Sequence, residues 1–132
     1  MIVGIGLDIV DVKLFRDILA DPTSSFKQHH FTEREIVYCE SQAGHDPVLH
    51  YAGRYAAKEA YIKARGAHFK EAPTALNINY REIEVVTEPS SGPALQIHGV
   101  LAARLRDAGG AKIFVSITHE ASVAAAMVVL EQ

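Results

Sequence analysis

The chain predicts an α+β fold in which a largely antiparallel sheet carries one long packed helix. Three observations lead there. The first nine residues alternate as a strand, with Val3, Ile5, Leu7 and Ile9 on one face and Ile2, Gly4, Gly6 and Asp8 on the other. An alanine-rich run opened by Asp46-Pro47 keeps helical spacing as far as Gly66. The remainder reads as two strand pairs separated by a short helix, which gives the order β-α-α-α-β-β-α-β-β.

In the opening strand, Val3, Ile5, Leu7 and Ile9 form an ordinary core face. Two glycines leave the other face nearly bare, so a backbone or a ligand can come close there, and Asp8 stands at its end. Asp11 is an N-cap for a helix over 12–20 that sets Val12, Phe15, Ile18 and Leu19 on one side. Residues 21–30 read as loop. At Phe31-Thr32-Glu33-Arg34-Glu35-Ile36 the next helix begins: Thr32 caps it, Glu35 completes a capping box, and Phe31 staples to Ile36. That helix runs to about Ser41 and breaks at Ala43-Gly44. Pro47 takes the first position of the long helix, and Gly66 is its expected stop.

Residues 67–78 read as an irregular surface loop. Tyr80 to Thr87 is a strand, Pro89-Ser90-Ser91-Gly92-Pro93 a turn, and Ala94 to Ile97 the hairpin partner. A helix over Val100 to Ala108 closes at Gly109-Gly110. Strands over Lys112–Thr118 and Ser122–Leu130 follow, joined tightly at His119-Glu120-Ala121. With no repeat, low-complexity tract or linker, residues 1–132 read as a single domain.

Composition narrows the function classes. A net charge of −3 leaves no overall basic footprint for nucleic acid. One cysteine, Cys39, excludes an internal disulfide and fits a reducing compartment. The apolar start has no basic segment before it and meets Asp8, so it is not a signal peptide. No apolar run reaches the roughly 20 residues that span a bilayer. The expectation is a soluble cytoplasmic protein that partners neither nucleic acid nor membrane.

Glu59 is the odd residue of the long helix, a carboxylate among small and apolar neighbours. It is costly there without a cation, and the cation is either Lys63, one turn on, or a metal ion. The alanine stripe Ala52, Ala56, Ala60 and Ala64 needs a close-packing partner, and the Gly4/Gly6 face supplies one. If the two surfaces meet, Asp8 approaches Glu59. Two converging carboxylates repel unless a cation lies between them. Two hard oxygen ligands with open positions suit Mg²⁺, which completes its shell from water and phosphate oxygens. Singly, Asp8 reads as a turn former and Glu59 as half of a surface ion pair; together they point to a metal.

Arg54, Lys58 and Arg65 fall on one side of the same helix. They make either a solvated basic face or an anion site for phosphate or pyrophosphate, with Lys58 and Lys63 as point charges. Near the end of the chain, Val115 and Ile117 point one way while Phe114, Ser116 and Thr118 point the other. Those hydroxyls either face solvent or bind a phosphate or a base edge. The histidines other than His119 have no metal-ligand spacing, His119 reads as a turn residue, and Cys39 reads as a small packed residue.

Four segments, in this order and spacing, resemble the holo-[acyl-carrier-protein] synthases, the small 4′-phosphopantetheinyl transferases. They are Gly4-Ile5-Gly6-Leu7-Asp8-Ile9-Val10, Phe31-Thr32-Glu33-Arg34-Glu35, Arg54-Tyr55-Ala56-Ala57-Lys58-Glu59-Ala60 through Lys63-Ala64, and Val115-Ser116-Ile117-Thr118-His119-Glu120. The resemblance covers essentially the whole chain. It implies transfer of the phosphopantetheine arm of coenzyme A to a serine of an apo acyl carrier protein or carrier domain, with release of adenosine 3′,5′-bisphosphate. It implies that Asp8 and Glu59 hold Mg²⁺ against the pyrophosphate and that Lys63 contacts the phosphates. Arg54, Lys58, Gly66, Ser116, Ile117 and Thr118 would complete the coenzyme A site. The family is usually homotrimeric with that site between subunits, so Arg54 and the Ser116–Thr118 strand would come from different chains or one. Lys13 and Arg16 would lie on the helix that docks the acidic carrier. The serine proton would go to Glu59 or to a metal-bound water. Gly66-Ala67-His68 stands where many relatives have Gly-Thr-Gly, and Phe114 where many have histidine. Other readings of the same residues are a Mg²⁺-dependent nucleotide or pyrophosphate hydrolase, an inactive coenzyme A-binding homologue, and a purely structural trimer.

Overall fold

Ten residues, Ile2–Asp11, form the first strand, β1, and the chain turns directly from it into α1 (Val12–Ala20). The Asp11 side chain accepts from Leu14 N at 3.0 Å and so caps α1. A short helix, α2 (Phe26–His30), occupies a stretch whose composition reads as loop. Its rings account for it: Phe26 stacks on His30 at 3.9 Å and meets Phe15 edge-on at 5.6 Å. Next come α3 (Glu33–Ser41) with the expected capping box of Thr32 and Glu35, and α4 (Pro47–Phe69). A 3₁₀ turn over Tyr80–Glu82 leads into β2 (Ile83–Glu88), β3 (Gly92–Ile97), α5 (Gly99–Asp107), β4 (Lys112–His119) and β5 (Val123–Glu131). The computed structural model describes residues 1–69 and 77–132. Most of the loop expected over 67–78 therefore lies outside the described residues.

The strands form two antiparallel sheets, β1-β5-β4 and the hairpin β2-β3. Helix α4 lies across the inner face of the three-stranded sheet. A Cβ on Gly6 would stand 1.8 Å from the Ala60 carbonyl oxygen, and one on Gly4 2.3 Å from that of Ala64. The helix backbone thus rests directly on the strand, an approach that only glycine permits. The glycine face and the alanine stripe meet as their shapes require. Ala56, Ala60 and Ala64 are buried there with Val10, Ala124, Ala126, Val128 and Leu130.

Of the two faces of β1 read as packing surfaces, only the glycine face is covered within the subunit. Ile5, Leu7 and Ile9, read as a core face, are 56–66% exposed. Alternation sorts residues into two faces without saying which face a helix will cover. Here backbone fit decided, and the larger side chains were left outside. Cross-strand register aligns Ile5 with Val129 and Phe114, Leu7 with Met127 and Ser116, and Ile9 with Ala125 and Thr118. Those three rows make an outer face that is apolar along β1 and β5 and gains two hydroxyls on edge strand β4.

Three smaller expectations also change. Gly66 does not stop α4, which continues to Phe69; a single glycine costs a packed helix only about 1 kcal/mol. Tyr80 begins a turn rather than a strand, because Asn79 caps it by accepting from Arg81 N. Ile18 is 42% exposed, although Val12 and Phe15 on the same helix are buried.

Candidate active site

Because α4 runs antiparallel to β1, Ala64 lies over Gly4 and Ala60 over Gly6. Asp8, two residues further on the same face, comes to the turn of α4 that carries Glu59. Both side chains line one cleft of about 350 Å³, together with Tyr55 and, from α1, Leu14, Phe15 and Ile18. Burial pushes the Tyr55 hydroxyl up to about 12, reinforced by the Glu59 carboxylate and, more weakly, by that of Asp8. One phenol thus feels both acids.

Each carboxylate has a donor. Lys63 Nζ donates to Asp8 Oδ1 and to the Leu7 carbonyl, both at 2.9 Å, with its side chain half exposed. The Tyr80 hydroxyl donates to Glu59 Oε1. Tyr80 stays protonated as that donor, since burial and then Glu59 raise its pKa. Spacing of four and seven residues from Glu59 keeps Lys63 and Gly66 on the cleft side of α4.

The basic face of α4 turns out not to be solvated. Arg54, Lys58 and Arg65 are all buried. Lys58 is wholly enclosed and donates to Glu35 Oε1 at 2.7 Å, the His30 carbonyl at 2.7 Å and the Tyr80 carbonyl at 3.1 Å. An ammonium has three donors, so Lys58 has none left for a phosphate, which corrects its expected role. Burial lowers its pKa, and Glu35 opposes that. Arg65 stacks on the Phe69 ring at 4.6 Å.

Arg54 belongs to a second hollow of about 230 Å³, which shares no lining residue with the Asp8 cleft. Its guanidinium lies 4.0 Å from the Tyr38 ring and donates to Thr87 Oγ1 at 3.0 Å. Ile117, His50 and His119 also line that hollow. Burial holds the His50 imidazole below its usual range, with Arg54, His119 and His45 adding to the effect. Ile117 points inward to Gly53, whereas Ser116 and Thr118 stand on the outer sheet face. On α1, Arg16 is paired with Asp46, and Lys13 is exposed.

Sequence patterns did not mark Tyr80, nor Glu35 as the partner of Lys58. The capping box identified the Glu35 bond to Thr32 N, 2.9 Å long. No local signal announces its bonds to Lys58 and Val85 N. Among the described residues, no group of three or more His, Cys, Asp or Glu side chains is arranged to hold a metal.

Residues 4–126 match the 4′-phosphopantetheinyl transferase superfamily. Two holo-[acyl-carrier-protein] synthases, from Geotalea daltonii and Geobacter metallireducens, are 34% and 37% identical over 132 residues, covering all of this chain and 99–100% of each relative. An ACPS-CoA complex from Chronobacterium ammoniagenes superposes with a TM-score of 0.85 at 32% identity, covering 97% of this chain and 96% of that one. The synthase of Neisseria meningitidis gives 0.82 at 28% identity over the full length of both. The chain belongs to the 4′-phosphopantetheinyl transferase superfamily and is an enzyme. Within that superfamily it is a phosphopantetheinyl transferase of the holo-[acyl-carrier-protein] synthase kind.

Proposed function

We propose that this transferase, acting as one domain, moves the phosphopantetheine arm of coenzyme A to a serine of an apo acyl carrier protein, with Asp8 and Glu59 holding Mg²⁺ against the diphosphate. The observation that carries the reading is the pair of carboxylates on one cleft beside a half-exposed lysine. Their donor set is hard oxygen with room for further ligands, the set that suits Mg²⁺. Bound there, the ion supplies Lewis-acid stabilisation of charge on the diphosphate. Lys63 is bonded to Asp8 and to the Leu7 carbonyl; an ammonium has three donors, and the third is suited to a phosphate oxygen. Gly66 leaves the helix surface beside it without a side chain. The nucleophile is the carrier's own serine, so the site's task is to orient the phosphorus for its in-line attack.

The second hollow extends this reading. Arg54 and Ile117 are set apart from Asp8 and Glu59, and Ser116 and Thr118 stand on the apolar outer face. A homotrimer that covers this face would bring the Ser116–Thr118 edge of one subunit beside the Asp8 cleft of the next. Exposed apolar surface of this extent is the mark of such an interface. Lys13 and the exposed apolar Leu14 and Ile18 flank the cleft where the carrier would dock; Arg16, offset by Asp46, adds less charge. We place the enzyme in the cytoplasm, where its thiol would stay reduced. Among the described residues no helix is long and apolar enough to cross a membrane. Burial pushes the Cys39 thiol up to about 12, out of the reactive range.

The test is intact-mass spectrometry of an apo carrier protein incubated with coenzyme A, Mg²⁺ and the enzyme. A gain equal to one phosphopantetheine, abolished by a chelator, is expected. Steady consumption of coenzyme A without any carrier would favour hydrolysis instead.

A further inference from the structure

Tyr80 reaches Glu59 from outside the helix that carries it, and its backbone is fixed by that same helix. Lys58 and Glu59 are adjacent in α4. Lys58 Nζ donates to the Tyr80 carbonyl at 3.1 Å, and the same ammonium is anchored on Glu35 and on the His30 carbonyl. The Tyr80 side chain then returns to α4, where its hydroxyl donates to Glu59 Oε1. Its ring lies parallel to that of Tyr55 at 5.9 Å, with the His30 ring 4.7 Å away on another side. A closed loop results: helix, ammonium, Tyr80 backbone, phenol, and back to the next residue of the helix.

We propose that Tyr80 is a positioning residue for Glu59, its backbone pinned by Lys58 and its hydroxyl holding the carboxylate in one orientation at the Asp8 cleft. The inference rests on the reading of Asp8 and Glu59 as the groups that hold the divalent ion. A glutamate has three rotatable side-chain bonds, and a ligand already oriented loses less freedom when the ion binds. Lys58 therefore serves the site from inside the protein, through Tyr80, instead of touching a phosphate.

Tyr80→Phe removes the hydroxyl and keeps the ring stack, so its unfolding midpoint is expected to stay at that of the parent. Mg²⁺ binding measured by calorimetry with coenzyme A present is expected to weaken about tenfold, the size typical of a lost outer partner to a metal ligand. Turnover at low Mg²⁺ falls accordingly and recovers as Mg²⁺ is raised, while the KM for coenzyme A at saturating Mg²⁺ is unchanged. Parent-like Mg²⁺ affinity in Tyr80→Phe overturns the proposal. Asp8→Asn, titrated alongside, separates the two ideas. If Asp8→Asn loses the ion while Tyr80→Phe keeps it, only the role of Tyr80 fails. If Asp8→Asn binds Mg²⁺ like the parent, the carboxylate reading fails and this inference with it.

Discussion

Two ion pairs on α4, five residues apart, have nearly the same length and opposite surroundings. Lys58 and Glu35 are 2.7 Å apart and both 0% exposed. Lys63 and Asp8 are 2.9 Å apart and 50% and 16% exposed. Around the first pair, fixed protein groups replace water. Lys58 uses all three donors, and Glu35 also accepts from Thr32 N and from Val85 N at 3.0 Å. The second pair keeps water and a free ammonium donor, so either partner can be exchanged for a ligand at small cost. Residue type and spacing put the two lysines in one class; burial separates a structural pair from an exchangeable one.

The largest effect that would sharpen this contrast is on folding. Lys58→Met leaves Glu35 buried without its cation, and urea titration is expected to show a loss of about 3–5 kcal/mol. Lys63→Met should cost about 1 kcal/mol or less while slowing phosphopantetheine transfer. Equal stability losses in the two variants would erase the distinction. Next, Asp8→Ala should leave the fold intact and reduce transfer by about a hundredfold or more, read by carrier mass gain over time. Gly6→Ala comes third. Its Cβ meets the Ala60 carbonyl, so strand and helix must part, with a cost of about 1–3 kcal/mol in urea and slower transfer from the displaced Asp8.

The smallest effect is that of pH on stability. Burial is the main cause that holds His30 and His50 below the usual imidazole pKa of 6.5. The folded state keeps them neutral, while the unfolded chain takes up protons as pH falls through 6.5. More protons on the unfolded state means that stability is present above that pH and is lost below it. Melting curves at pH 7.5 and 5.5 should show a lower midpoint at the acid pH, and His50→Asn should reduce the difference.

Features set by neighbouring residues were legible in the sequence: the Asp11 cap, the Thr32/Glu35 capping box, Pro47 at the start of α4, and the Gly109-Gly110 break, where both glycines have positive φ. The contact of the Gly4/Gly6 face with the alanine stripe was also legible, because two bare surfaces pack best on each other. That contact brought Asp8 and Glu59 to one cleft. What depends on distant partners was not legible. Lys58 looked like a surface cation because Glu35, His30 and Tyr80 lie 22–28 residues away. The outer face of β1 was misread as core because an apolar alternation does not say whether anything in the subunit covers it. Gly66 looked like a stop because its propensity was weighed without the packing that carries α4 past it.

Anomalous scattering from Mn²⁺ in crystals of the enzyme with coenzyme A tests the central claim most directly. The expected result is one ion at about 2.0–2.3 Å from an oxygen of Asp8 and an oxygen of Glu59, touching the diphosphate. Coenzyme A seated in the cleft with the ion elsewhere, or with both carboxylates unligated, would contradict it.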